Sequence, residues 1–203
     1  MQVEIDWTIP PTPPGWKGSL TRFMGPGKSR TELRTELTGS LICMALLGWH
    51  LFAAPIEAGW MPWAVTVFIG LDLVGGVMTN ATNAAKRWYH GKPTRSRLSF
   101  VAAHVIYLAA MAFVVLDAAW VWFLLNTALL LAGAVLIEAV TLEAKRPTAM
   151  AAYMAAVLIN LTLLPLAEGL EWFTTLFFLK LLVCYLLPEA PIRSAKTQQS
   201  SPQ

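Results

Sequence analysis

Six residues with the chemistry to hold a polar ligand repeat along one stretch of the chain: Asp72, Gly76, Asn80, Asn83, Arg87 and His90. Their spacings are four, four, three, four and three. At about 100° per residue they fall within an arc of roughly 80° on a continuous helix, with Thr79 just beside it. The remaining faces carry Val65, Val67, Phe68, Ile69, Leu71, Leu73, Val74, Val77 and Met78, so one polar face stands out from an apolar cylinder. Thr66 and Thr82 are exceptions, and a threonine hydroxyl can bond back to its own helix.

Asp72 makes this face more than a packing seam. Glycine and asparagine serve helix–helix contact well, but an ionisable group inside an apolar run costs a few kcal/mol and calls for a partner or a function. Lys180 lies midway along a later apolar run, at the depth of Asp72, so an ion pair would relieve both charges. His104 and Glu138 share a layer with Asn80 and Asn83, and together would make a general base with its orienting carboxylate. The expected catalytic groups are therefore His104, Glu138 and Asp72. The expected substrate-binding groups are Asn80, Asn83, Arg87, His90 and Lys180. Arginine offers a bidentate fork to an anionic head, and Lys86 adds a point charge.

The plainer readings are also physical. Lys180 could serve only to neutralise Asp72, His104 could bond a backbone carbonyl, and Glu138 could be solvated near the interface. His90 sits among Trp88, Tyr89 and Lys92 and reads as interfacial; His50, Asn126 and Asn160 read as hydrogen-bonded structure. No HExxH, clustered acidic motif, CxxC, GxSxG or glycine-rich phosphate loop occurs, so no metal and no cofactor is assigned. Cys43 and Cys184 both lie in apolar runs and read as small hydrophobes.

The elements that must position these groups follow from composition. The chain of 203 residues is 56% hydrophobic and 13% charged, against roughly a quarter charged in a soluble domain. Apolar runs occupy roughly 38–56, 61–83, 98–116, 119–141, 148–166 and 170–188, each near the roughly 20 residues that cross a bilayer. Pro55, Pro147 and Pro188 sit at run edges, and Asp117 marks a tight hairpin between the third and fourth runs. The expected fold is all-α: a polytopic membrane helix bundle of about six transmembrane helices. It divides into an N-terminal cytoplasmic or interfacial arm (1–37), a six-helix transmembrane domain (38–188) and a disordered cytoplasmic tail (189–203).

Orientation comes from Lys and Arg. They cluster in the arm (Lys17, Arg22, Lys28, Arg30, Arg34), after the second run (Lys86, Arg87, Lys92, Arg95, Arg97), after the fourth (Lys145, Arg146) and in the tail (Arg193, Lys196). The intervening loops carry Glu57, Asp117, Glu168 and Glu171. This alternation places both termini in the cytoplasm. Trp60, Trp63, Trp120, Trp122 and Trp172 mark the outer boundary, and Trp88 and Tyr89 the inner one. The first 28 residues read as an irregular arm whose Trp7, Trp16 and Phe23 rest among headgroups. Ser29 and Glu32 form a capping box that starts a helix near Arg30. The polar start has no signal-peptide pattern, so the first span is expected to be its own insertion signal.

The net charge of +3 with no basic patch on a soluble surface argues against nucleic acid. The expected location is a cell membrane, multi-pass, of the bacterial inner-membrane type, and the first partner is the lipid bilayer. Three functions fit. The first is an enzyme or binding protein for a lipid-like or isoprenoid-like substrate with an anionic head, held in a cytoplasm-facing groove. The second is a small transporter or proton-coupled carrier using Asp72, His104, Glu138 and Lys180 as a relay. The third is an accessory or assembly subunit that docks by its polar faces to further copies of itself or to a membrane complex.

Overall fold

The computed structural model describes residues 3–53 and 59–194, and among these the regular structure is helical apart from one short strand pair. Among the described residues four helices are long and apolar enough to cross a membrane: Arg30–Ala53 (α2), Trp60–Asn80 (α3), Thr94–Val115 and Trp120–Ala139 (α7). This suggests a membrane protein. The third of these rods is built from α5 (Thr94–Ala103), α6 (Val105–Ala110) and a π-helical turn (Met111–Val115).

The fifth and sixth expected runs also form helices, but of different character. Helix α8 (Leu142–Thr162) begins earlier than its run, with Glu143, Lys145 and Arg146 in its first turns, and Pro147 lies inside it rather than at its edge. The sixth run becomes α9 (Trp172–Phe178), continued by seven π-helical residues, Leu179–Tyr185. This last helix is the centre of the bundle. Phe173, Phe177, Phe178, Leu181 and Leu182 are fully buried, and it packs against α3, α7 and α8. A helix apolar on all sides is stable only when surrounded in this way.

Local signals in the sequence reappear as contacts. The Ser29 amide donates to Glu32 Oε2 at 2.9 Å and the Glu32 amide to Ser29 Oγ at 3.0 Å, a complete capping box at the start of α2. Asp117 and Ala118 take positive φ of 52° and 61°, the left-handed turn that folds the third rod back onto α7. Asn126 and Asn160 exchange amide hydrogen bonds of 3.2 and 2.8 Å across α7 and α8, which accounts for two buried polar groups. The His50 ring meets the Gly169 carbonyl at 3.3 Å. The tryptophans divide. Trp60, Trp63 and Trp120 are exposed, as a belt at a membrane boundary requires, whereas Trp122 is buried against Phe173 and Trp172 is packed beside Gly70. Both cysteines are free; Cys184 is partly buried, and Cys43 is exposed on α2.

Two expectations fail here. The arm is not irregular: α1 (Gly15–Met24) forms within it. The polar stripe is not one helix. Helix α3 ends at Asn80, and α4 (Asn83–His90) begins anew with Thr82 as its N-cap, the hydroxyl accepting from the Ala85 amide at 3.2 Å. The arm and the tail also meet. Val3–Ile5 (β1) pairs antiparallel with Ile192–Ser194 (β2), with Ile5 opposite Ile192, and residues 195–203 of the tail lie outside the described residues.

Candidate functional site

The break at Ala81–Thr82 decides which stripe residues act together. Above it, Asp72, Gly76 and Asn80 recur along one face of α3 and line a cavity of about 430 Å³. The facing wall comes from Phe100, His104 and Tyr107, one helical face again, with Tyr89 from α4 and Lys180 from the central helix. Leu20, Phe23 and Met24 of α1 close the side next to α4. The lips are apolar: Leu71, Leu20 and Phe23 are 45%, 52% and 62% exposed. The cavity therefore opens sideways, on the surface that apolar residues cover.

Asp72 and Lys180 form the expected ion pair inside this cavity. The Lys180 stem crosses α3 at Gly76, where an added Cβ would overlap its Cδ and Cε, so the glycine makes room for the cation. Its ammonium also stands 5.6 Å from the centre of the Tyr107 ring. His104 occupies the junction of α5 and α6. Its amide bonds the Val101 carbonyl three residues back at 3.0 Å, and its ring Nδ1 bonds the Phe100 carbonyl at 2.8 Å. A carbonyl only accepts, so Nδ1 carries the hydrogen, and in the neutral ring Nε2 holds the lone pair.

Glu138 is the clearest correction. Its carboxylate is held by Arg97 at 2.6 Å and by Lys145 at 3.3 Å, with Thr94 nearby, at the charged ends of α5, α7 and α8. It does not orient His104; the Phe100 carbonyl does. Two like-depth residues on different helices can point to different neighbours, and Arg97 supplies the stronger partner.

The lower stripe is spent on architecture. Arg87 is buried and donates to the Gly27 carbonyl at 3.1 Å. Lys86 donates to the Cys184 and Leu187 carbonyls at 2.6 and 2.9 Å, capping the central helix where a cation suits the helix dipole. Burial holds its pKa below the ordinary lysine value, against the opposing pull of Glu189. His90 meets the Tyr185 carbonyl at 3.1 Å. Asn83 begins α4 and lines a separate shallow depression with Glu32, Glu36 and Thr82.

Residues that the stripe did not include complete the site. Tyr89 donates to the Phe23 carbonyl at 2.9 Å, and burial raises its pKa to about 12, so it stays a donor. Gly25, with φ of 92°, brings the loop after α1 directly against the Ala84–Ala85 backbone. With the Arg87 bond to Gly27, these three contacts seat α1 on α4. Glu36 is buried on α2, paired with Lys28, and accepts from Thr79 at 2.6 Å. The Phe100–His104–Tyr107 spacing of four and three was the sequence signal for the facing wall; nothing local marked Glu36 or α1.

A second hollow, about 500 Å³ and apolar, runs between α2 and α3 along Met44, Leu47, Leu51, Phe52, Trp63 and Val67. Leu71 lines both spaces. A largely apolar chamber that holds a few polar groups and an apolar groove thus share one wall residue.

His90 gives a pH signature. Burial, then the charges of Lys86 and Arg97, lower its pKa from 6.5 to about 4. Between those values the unfolded chain binds a proton that the folded protein refuses, so stability falls as pH drops. The loss is about 2 kcal/mol at pH 5 relative to pH 7. Melting curves at the two pH values should differ by less in His90→Gln, whose amide can still donate to Tyr185. An equal difference in both proteins would refute the assignment.

Set against protein-family models, curated proteins and solved structures, the chain matches none of them, and its site stands on its own geometry.

Proposed function

We propose that this chain is a multi-pass membrane protein that takes a lipid-like or isoprenoid-like amphiphile from the bilayer into the Asp72–His104 cavity. The observation that carries the proposal is the wall shared at Leu71: a chamber lined by Asp72, Asn80, His104, Tyr107 and Lys180 lies on one side of it and an apolar groove suited to a hydrocarbon chain on the other. The reading includes six spans, with α8 and the central helix as the fifth and sixth. The alternation of Lys and Arg supports six spans with both termini in the cytoplasm, and it suits a cell membrane of the bacterial inner-membrane type.

The anionic head expected from Arg87, His90 and Lys86 loses its main support, because all three side chains are turned to backbone carbonyls. The relay reading needs Glu138 in line with His104, and Glu138 is held by Arg97 and Lys145 instead. A one-sided chamber under α1 favours binding over passage.

Native mass spectrometry on gently purified protein tests this. The wild type should carry one amphiphile of defined mass. Leu71→Trp, which adds bulk at the shared wall from an exposed position, should lose it while remaining folded. The same heterogeneous lipid profile in both proteins would sink the proposal.

A further inference from the structure

The amphiphile reading leaves the head group open, and the cavity wall narrows it. The inference rests on that reading and deepens it. The charges inside the chamber cancel: Lys180 is paired with Asp72. The two cations nearest in sequence to the α3 wall, Lys86 and Arg87, bond carbonyls of Cys184, Leu187 and Gly27. Neither lines the chamber, although the Arg87 Nε has no partner, so an anionic head entering here would meet only a cation already paired with Asp72 and would lose its hydration for little return.

What the wall does present is one buried donor without a partner, beside two groups that can accept. Asn80 is 4% exposed, lines the chamber, and its Nδ2 has no partner. A buried donor left unbonded is costly, so this position calls for an acceptor supplied from outside the chain. His104 presents the opposite need. With Nδ1 committed to the Phe100 carbonyl, Nε2 of the neutral ring accepts. The Asp72 carboxylate, with its side chain 29% exposed, is a second acceptor on the same wall. The complementary head carries a hydroxyl to donate toward His104 or Asp72 and a second oxygen to accept from Asn80.

We propose that the chamber binds an uncharged glycerolipid head with a free hydroxyl and an ester carbonyl, as in mono- and diacylglycerols. The hydroxyl donates to the His104–Asp72 side and the ester carbonyl accepts from Asn80 Nδ2. The acyl chain leaves past Leu71 into the groove between α2 and α3. Glycerol places hydroxyl and ester on adjacent carbons, so both needs of the wall are met by one compact, neutral group.

The test uses the full-length protein in phosphatidylcholine nanodiscs. Three probes are compared by native mass spectrometry: dioleoylglycerol, its hydroxyl-acetylated derivative, and dioleoyl phosphatidic acid. Dioleoylglycerol should be retained above the other two, and Asn80→Leu should weaken it by about tenfold, the effect of stranding one buried hydrogen-bond group. Equal retention of the acetylated derivative would overturn the hydroxyl contact. Preference for phosphatidic acid would overturn the uncharged head while leaving amphiphile binding intact. Retention of none above the phosphatidylcholine background would overturn both. The wild-type comparison alone decides these outcomes if Asn80→Leu does not fold.

Discussion

Replacing Lys180 by methionine should lower stability by about 3 kcal/mol, because breaking a buried ion pair strands the remaining charge. The lower end of the usual range applies, since the Asp72 side chain is 29% exposed while that of Lys180 is 4% exposed. For a chain of this length that corresponds to a fall of roughly 10 °C in melting temperature. The size is not a measure of what the pair contributes. A second replacement, Asp72→Asn, should restore most of the loss in the Lys180→Met background, because no charge then remains buried. Melting temperatures of the two single variants and the double variant form a cycle that separates pairing from packing. Additive losses in the double variant would show that the two side chains do not interact. Gly76→Val should resemble Lys180→Met, since its side chain would occupy the path of the lysine stem.

Gly25→Val should undock α1 from the bundle. The glycine has φ of 92°, a conformation costing an L-residue about 1–3 kcal/mol. Its added Cβ would also meet the Ala85 nitrogen at 2.5 Å and the Ala84 carbonyl carbon at 2.7 Å. These are backbone atoms of a buried helix, which cannot rotate aside as a side chain can. Tyr89 and Arg87 would then lose their bonds to Phe23 and Gly27, because those carbonyls flank the displaced residue. Tryptic cleavage after Lys17 and Arg22 reads the change directly, since both lie in α1. Cleavage should accelerate and the co-purifying amphiphile should be lost. Unchanged cleavage would mean that α1 does not depend on Gly25, and faster cleavage with unchanged ligand content would mean that α1 does not close the chamber.

The contrast between these two sites shows what the sequence could carry. Asp72 and Lys180 were legible as partners because depth along an apolar run is fixed by counting residues, and two buried charges at one depth have strong reason to meet. Ser29 and Glu32 were legible because a cap is local. Depth alone misled for Glu138, whose layer also holds Arg97, and only the packing of α5 on α7 selects between partners. The stripe misled because helical periodicity was carried through Thr82, a residue whose hydroxyl caps a new helix instead of ornamenting an old one. The carbonyl partners of Lys86, Arg87 and His90 lie 98 and 101, 60 and 95 residues away, and backbone acceptors leave no mark in a sequence. Helix α1 was hidden by its proline-rich approach and by only about two turns of apolar spacing at Trp16, Leu20 and Phe23.

The pairing of β1 with β2 sets an order of events during synthesis. Residues 3–5 are made before the described helices, yet their partners at 192–194 are made after the last of them. The arm that leads into α1 therefore cannot be fastened at its far end until the helices are already in place. The contacts of α1 with α4 can form long before that, so the strand pair is a late clasp on an arm already seated at its other end.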